Sequence, residues 1–185
     1  VLILSCHFDA APDAPGADDD GTGVAALLEI ARVLKDRPMK RTVRLIFFNL
    51  EEIGLKGSID YVRGSGGLPK SDKVIGMVSL EMLGYFSDAP GSQKSPIGKI
   101  EGVFDPPTVG DFIGMATIKS SSEFCRRLDK EMREAAPGLK TVVADFLPIA
   151  PPDFMRSDHA PFMLAGMPAV MLTDTANFRN PNYHK

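Results

Sequence analysis

With 185 residues, 44% of them hydrophobic, the chain can bury one sizeable core and is too short for two domains of ordinary size. A formal charge of -3, with lysines and arginines scattered along the chain, leaves no basic field for phosphates and excludes nucleic acid as a partner. No apolar run approaches the roughly 20 residues of a membrane span, and the apolar opening Val1–Leu4 lacks the charged flank of a signal peptide.

Val1 to Asp9 is an apolar run with a polar end, and it predicts a strand. The chain thus opens inside an element and without Met, as a single domain over 1–185 trimmed at both ends does. From Gly21 to Leu34, Val24, Leu27, Leu28, Ala31 and Leu34 recur at helical spacing. Thr42–Asn49 and Lys73–Met82 read as buried strands, with a short helix over Gly57–Arg63 between them. Tyr85–Asp111, rich in Pro, Gly, Ser and Asp, reads as a long irregular excursion. A strand near Phe112–Ile118, a helix over Ser121–Ala135, a strand near Thr141–Phe146 and a last strand at Ala169–Leu172 follow. Near-continuous apolar strands alternating with helices predict an α/β/α sandwich around a mostly parallel sheet. Cys6 and Cys125 are too few for a disulfide scaffold and read as buried or free thiols.

Several acidic and imidazole groups fall at strand ends or loops. Period-two geometry points His7 and Asp9 to one side, where the carboxylate can orient a metal-ligating imidazole or close an ordinary strand-end hydrogen bond. Asp18, Asp19 and Asp20 precede the first predicted helix; one, Asp20 by position, serves as a cap, and the remaining acid calls for a cation. Glu51 and Glu52 follow an apolar strand at its carboxyl end, where α/β sheets place ligands. One of the pair can bind metal while the other takes a proton, or both can be a solvated helix start. Glu81 ends an apolar strand and needs a metal or an arginine as partner. His184 stands in the last residues, where a loose tail is the ordinary expectation. Ser157-Asp158-His159 cannot be a catalytic triad, since three consecutive residues do not converge as nucleophile, base and orienter. No Gly-x-Ser-x-Gly elbow, phosphate-binding loop or structural zinc spacing occurs.

In order, His7-Phe8-Asp9, Pro15 to Gly21, Glu51-Glu52-Ile53-Gly54, Glu81, Ser157 to Phe162 and Tyr183-His184 resemble the M28 zinc peptidases over nearly the whole chain. The resemblance implies a three-layer α/β/α sandwich of the zinc-exopeptidase type with a mostly parallel mixed sheet. It also implies two zinc ions, one held by His7 and Glu81, the other by Glu52 and His184, with Asp19 bridging. Glu51 is then the general base, Asp9 orients His7, and the reaction is hydrolysis of the N-terminal peptide bond of a peptide substrate. Where the family commonly has Asp, this chain carries Glu81, longer by one C–C bond. Relatives also continue beyond the last histidine, whereas this sequence ends at Lys185. The resemblance leans towards a secreted or periplasmic location and is silent on oligomeric state.

Three other outcomes share the fold: a glutaminyl cyclase, for which Asp19, Glu52 and His184 suffice around a single zinc; a carboxypeptidase; and a binding domain without chemistry. The complete five-ligand set favours the peptidase. By position, Tyr85–Asp111 and Ile149–Arg156 are candidate pocket walls, with Phe86, Phe154, Met155 and Phe178 as candidate lining or plain packing residues.

Overall fold

The computed structural model describes residues 1–185. Six β segments, β1 (Leu2–His7), β2 (Val43–Phe48), β3 (Gly76–Glu81), β4 (Ile113–Ala116), β5 (Thr141–Ala144) and β6 (Ala169–Thr173), pair in one sheet of order β2-β1-β3-β6-β4-β5. Neighbours run parallel except β4 and β6, which are antiparallel. Four α-helices, α1 (Gly21–Leu34), α2 (Lys56–Arg63), α3 (Ser122–Ala135) and α4 (His159–Leu164), and three short 3-10 helices at Lys119–Ser121, Pro152–Met155 and Ala176–Phe178 complete the chain.

The strands are apolar on both faces because both faces are covered. On one, Cys6, Val78, Leu80, Val170 and Leu172 pack with Leu27 of α1 and Cys125 of α3. On the other, Ile3, Met77 and Ala169 meet Phe162 and Met163 of α4 and Tyr61 of α2. Adjacent residues such as Met77 and Val78 go to opposite layers, as the pleat requires. The predicted three-layer sandwich with a mostly parallel mixed sheet is what forms.

Several predicted strands are shortened. Thr141–Phe146 stops at Ala144 because the next residue, buried Asp145, turns to Ser122 (2.5 Å) and Arg126 (2.7 Å) on α3. Helix α4 was not predicted: His159–Leu164 holds only six residues, with Pro161 in the first turn, where its missing N–H costs nothing. Tyr85–Asp111 contains no helix or strand, only a bridge between Ile100 and Phe104. It is fastened by Arg179, whose guanidinium donates to Gln93 Oε1 (2.8 Å), the Tyr85 carbonyl (3.1 Å) and the Phe112 carbonyl (2.9 Å). Both cysteines are buried and free. No helix is long and apolar enough to cross a membrane.

Candidate metal centre

The parallel order places the carboxyl ends of β2, β1 and β3 side by side, the usual ligand edge of such sheets. His7 ends β1, Glu81 ends β3, and Glu51 and Glu52 follow β2 after a short turn. The loop 8–20 brings Asp9, Asp19 and Asp20 to the same edge, and the last residues return His184 to it.

Asp20 organises this edge. Its buried carboxylate accepts the backbone N–H of His7 (3.2 Å), of Gly23 in the first turn of α1 (3.2 Å) and of Met82 (3.0 Å). It therefore caps α1, as its position predicts, and also ties the ends of β1 and β3 together. Gly23 is what allows this approach: a Cβ there would stand 2.4 Å from Asp20 Oδ1. The Asp19–Asp20 peptide bond is cis.

His7 Nδ1 lies 2.9 Å from the backbone carbonyl of Asp9. A carbonyl only accepts, so Nδ1 carries the proton and Nε2 presents its lone pair to the acidic cluster. The Asp9 carboxylate sits farther off, at 3.5 Å from Nδ1. Its oxygens instead take the N–H groups of Glu51 and Glu52, each at 3.2 Å. Asp9 thus sets the imidazole through its backbone and the two glutamates through its side chain.

His7 Nε2 faces Asp19 Oδ1 at 3.0 Å and Glu81 Oε1 at 3.6 Å. His184 Nε2 faces Asp19 Oδ2 at 3.1 Å and Glu52 Oε2 at 3.3 Å. Asp19 therefore offers one oxygen to each imidazole. Glu81 thus reaches the cluster with its carboxylate. Donor atoms sharing a tetrahedral zinc at about 2.0–2.1 Å stand about 3.3 Å apart, so these four separations match a common ion. Four buried atoms here, His7 Nε2, Asp19 Oδ1, Glu52 Oε1 and Glu81 Oε2, have no hydrogen-bond partner. An orphaned buried polar atom costs about 1–3 kcal/mol, which cations at this edge would relieve. His7, Glu51 and Glu81 form one group of donor atoms within 4.8 Å of one another, and His7, Asp19 and Glu52 form a second. The residue set fits zinc, with nitrogen and oxygen donors and no thiolate.

The electrostatics ask for positive charge. Burial, then the nearby Glu81, pushes Glu51 up to about 9. Burial and Glu81 likewise raise Asp20 to about 8. On His7, burial opposes the charged form, yet the neighbouring Asp19 and Glu81 carboxylates outweigh it and raise the pKa. The turns that carry these groups are strained as well. Leu50 (φ 60°), Met82 (φ 51°) and His184 itself (φ 59°) all occupy the left-handed region, which non-glycine residues hold only where the surroundings impose it. His184 is further held by stacking on Tyr183, with ring centroids 3.8 Å apart.

The Ser157-Asp158-His159 triplet disperses: Ser157 meets Ser79 at 3.0 Å, and His159 Nε2 meets the Phe154 carbonyl at 2.7 Å. Asp158 is wholly buried beneath the cluster, and burial raises it to about 7. Of the candidate pocket residues, Phe154 and Phe178 line a cavity beside the cluster. Met155 packs into the core, and Phe86 is 66% exposed. Sequence reasoning missed Arg179 and Gln93, which hold the wall of that cavity; nothing local marks either residue.

A sequence model described as Peptidase family M28 matches residues 1–185. The protein YfbL of Escherichia coli (strain K12) is 31% identical over 192 residues, covering 100% of this chain and 58% of its own length. Among solved structures, BSAP, a zinc aminopeptidase from Bacillus subtilis, superposes with a TM-score of 0.70 and 25% identity, over 100% of this chain and 39% of its own. Porphyromonas gingivalis glutaminyl cyclase shares the fold, with a TM-score of 0.64 at 21% identity, over 100% of this chain and 62% of its own. The chain thus spans 58% or less of YfbL and BSAP. Matched from its first residue to its last by one family model, the chain belongs to peptidase family M28.

Proposed function

We propose that residues 1–185 form a single zinc-dependent exopeptidase domain that hydrolyses the N-terminal peptide bond of peptides. The observation that carries this is the convergence of four unpartnered buried atoms, on His7, Asp19, Glu52 and Glu81, with His184 closing the set. In this reading His7 and Glu81 would hold one zinc and Glu52 and His184 a second, with Asp19 a ligand shared between them. Bound zinc supplies Lewis-acid charge for the scissile carbonyl and for water.

Glu51 is the general base. Its backbone is fixed by Asp9, and its carboxylate shares a 4.8 Å cluster with donor atoms of His7 and Glu81. With the cluster cation-free, Glu51 stays protonated up to about 9. Burial first, and Glu81 second, hold it in that form, and positive charge beside it favours ionisation. Ionised Glu51 removes a proton from the attacking water and later gives it to the leaving amine. Asp9 and the His7 Nδ1 proton keep the imidazole lone pair aimed at the cluster.

The test is a panel of aminoacyl arylamides offered to the zinc-loaded protein with and without chelator, beside Glu51→Gln. Chelator-sensitive release that collapses in the variant is expected. Zinc-loaded protein that releases nothing, yet closes N-terminal glutamine peptides to pyroglutamate, would replace this reading with a cyclase.

A further inference from the structure

Lysines and arginines that lie scattered in the sequence are gathered by the fold. β1, β2, β3 and β6 run parallel, so their first residues share the edge opposite the metal cluster. Helices α1 and α2 each connect two of these strands and return the chain to that edge. Lys35 and Arg37 follow α1, and Lys40 and Arg41 precede β2. Arg63 ends α2, and Lys70 and Lys73 precede β3. β4 runs the other way, so Lys119, beyond its carboxyl end, joins them.

All eight of these cations are exposed, and none is in an ion pair. Elsewhere most lysines and arginines are paired, as Arg32 is with Glu29, Arg126 with Asp145 and Lys140 with Asp111. Lys35 and Arg63 complement the negative ends of α1 and α2, but the other six have no such role. Asp72 at this edge is taken by Arg44 (2.6 Å), which leaves Asp36, Asp60 and Glu123 as its free acids. The opposite edge carries Asp18, Asp19, Glu51, Glu52 and Glu81. A chain of net charge -3 is thus acidic at its metal edge and basic at the other. A β1 of six residues, at about 3.3 Å each, sets the two edges about 20 Å apart. Screening acts within about 8 Å at physiological salt, so an anionic surface at the basic edge feels little of the acidic one.

Two apolar side chains stand out among the cations: Met39 (52% exposed) in the loop before β2, and Leu164 (66% exposed) at the end of α4, close to the start of β6. Cations around exposed aliphatic groups suit the boundary between lipid headgroups and acyl chains. Nucleic acid fits less well. Stacking on bases needs aromatic groups, and the exposed Phe8 and Phe86 both lie beyond the carboxyl ends of their strands, at the acidic edge. We propose that the edge where the parallel strands begin docks on an anionic phospholipid surface, with Met39 and Leu164 at the headgroup boundary and the metal edge turned to solvent. The proposal does not depend on the hydrolytic reading and involves none of its residues.

The experiment is sedimentation of the protein with vesicles of phosphatidylcholine, alone or mixed with phosphatidylglycerol, across a salt series. Binding to the mixed vesicles only, weakening as salt rises, is expected. A lysine or arginine at an anionic membrane contributes about fivefold in affinity, so Lys40→Gln together with Arg41→Gln should weaken binding about 25-fold. Lys99→Gln together with Lys130→Gln makes the same change in net charge away from the edge and should leave binding unchanged. On the wild type, mixed vesicles should slow tryptic cleavage after Lys40 and Arg41 but not after Lys99. No sedimentation with mixed vesicles, equal losses in the two double variants, or protection at Lys99 in place of Lys40 would overturn the proposal. A duplex oligonucleotide bound more tightly than mixed vesicles at equal salt would assign the edge to nucleic acid and overturn it as well.

Discussion

At the carboxyl ends of β1 and β3, buried oxygens and an imidazole nitrogen stand without partners. In the adjoining cavity, Thr175 bonds to Gln93 and Thr173, and Ser95 bonds to the backbone of Ile97. The two hollows meet at Glu81, yet one leaves polar groups open and the other closes them. Burying a polar group without a partner is costly, so a cluster of such groups at one edge favours a ligand that completes them. The difference separates an acidic edge that lacks partners from a hollow whose hydrogen-bonding groups are largely satisfied.

The sharpest way to break the comparison is Glu51→Gln. It removes the proposed proton carrier but none of the five proposed ligands, so kcat should fall by about 10²- to 10⁴-fold with zinc content unchanged. A variant that loses zinc along with activity would instead make Glu51 a ligand.

Next in size is Asp20→Ala, which leaves three backbone N–H groups, of His7, Gly23 and Met82, without their acceptor. Urea denaturation should show a loss of about 3 kcal/mol. A loss well under 1 kcal/mol would mean that the acidic edge does not depend on this carboxylate.

A third prediction concerns pH. Burial lowers His159 to about 4, below the ordinary value of 6.5, so the folded state holds it neutral while the unfolded chain takes up a proton. The unfolded state binds more protons between these values, so stability rises with pH there. The contribution is complete above about 6.5 and is lost as pH falls towards 4. It reaches about 3 kcal/mol. Asp20 and Asp158, with raised values, act in the opposite sense, so the quantity to measure is wild type minus His159→Gln. That difference should shrink by about this amount between pH 7 and pH 4.

Smallest is Arg179→Leu, which frees the Tyr85 and Phe112 carbonyls and Gln93 Oε1. A stability loss of about 2 kcal/mol is expected, read by thermal unfolding. Faster hydrogen exchange in 85–111, with none at β1, would place the loosening in the cavity wall rather than at the metal edge.

Much of the fold was legible because the strands are buried on both faces and therefore read as largely apolar runs, as at Ala169-Val170-Met171-Leu172. Helix α1 was legible to the residue, since Val24, Leu27, Ala31 and Leu34 keep strict spacing and Asp20 marks its start. Helix α4 was not, because six residues are too few for a period to show. The candidate ligands could be found as acidic or imidazole groups at strand ends, but their convergence is a property of the order β2-β1-β3, which no local pattern states. Asp9 was read as acting through its carboxylate, whereas its backbone carbonyl meets His7. The cavity wall was legible only as a long loop, because Arg179 and Gln93 lie far apart in the chain.

The central claim is that the orphaned atoms of His7, Asp19, Glu52 and Glu81, with His184, hold two zinc ions. Its most direct test is zinc content by mass spectrometry after zinc loading and exhaustive dialysis, in wild type, His184→Ala and Asp19→Ala. The account predicts two ions per chain in wild type, one in His184→Ala, and weakened retention of both in Asp19→Ala. Wild type that retains no zinc, or retention indifferent to Asp19→Ala, would contradict it.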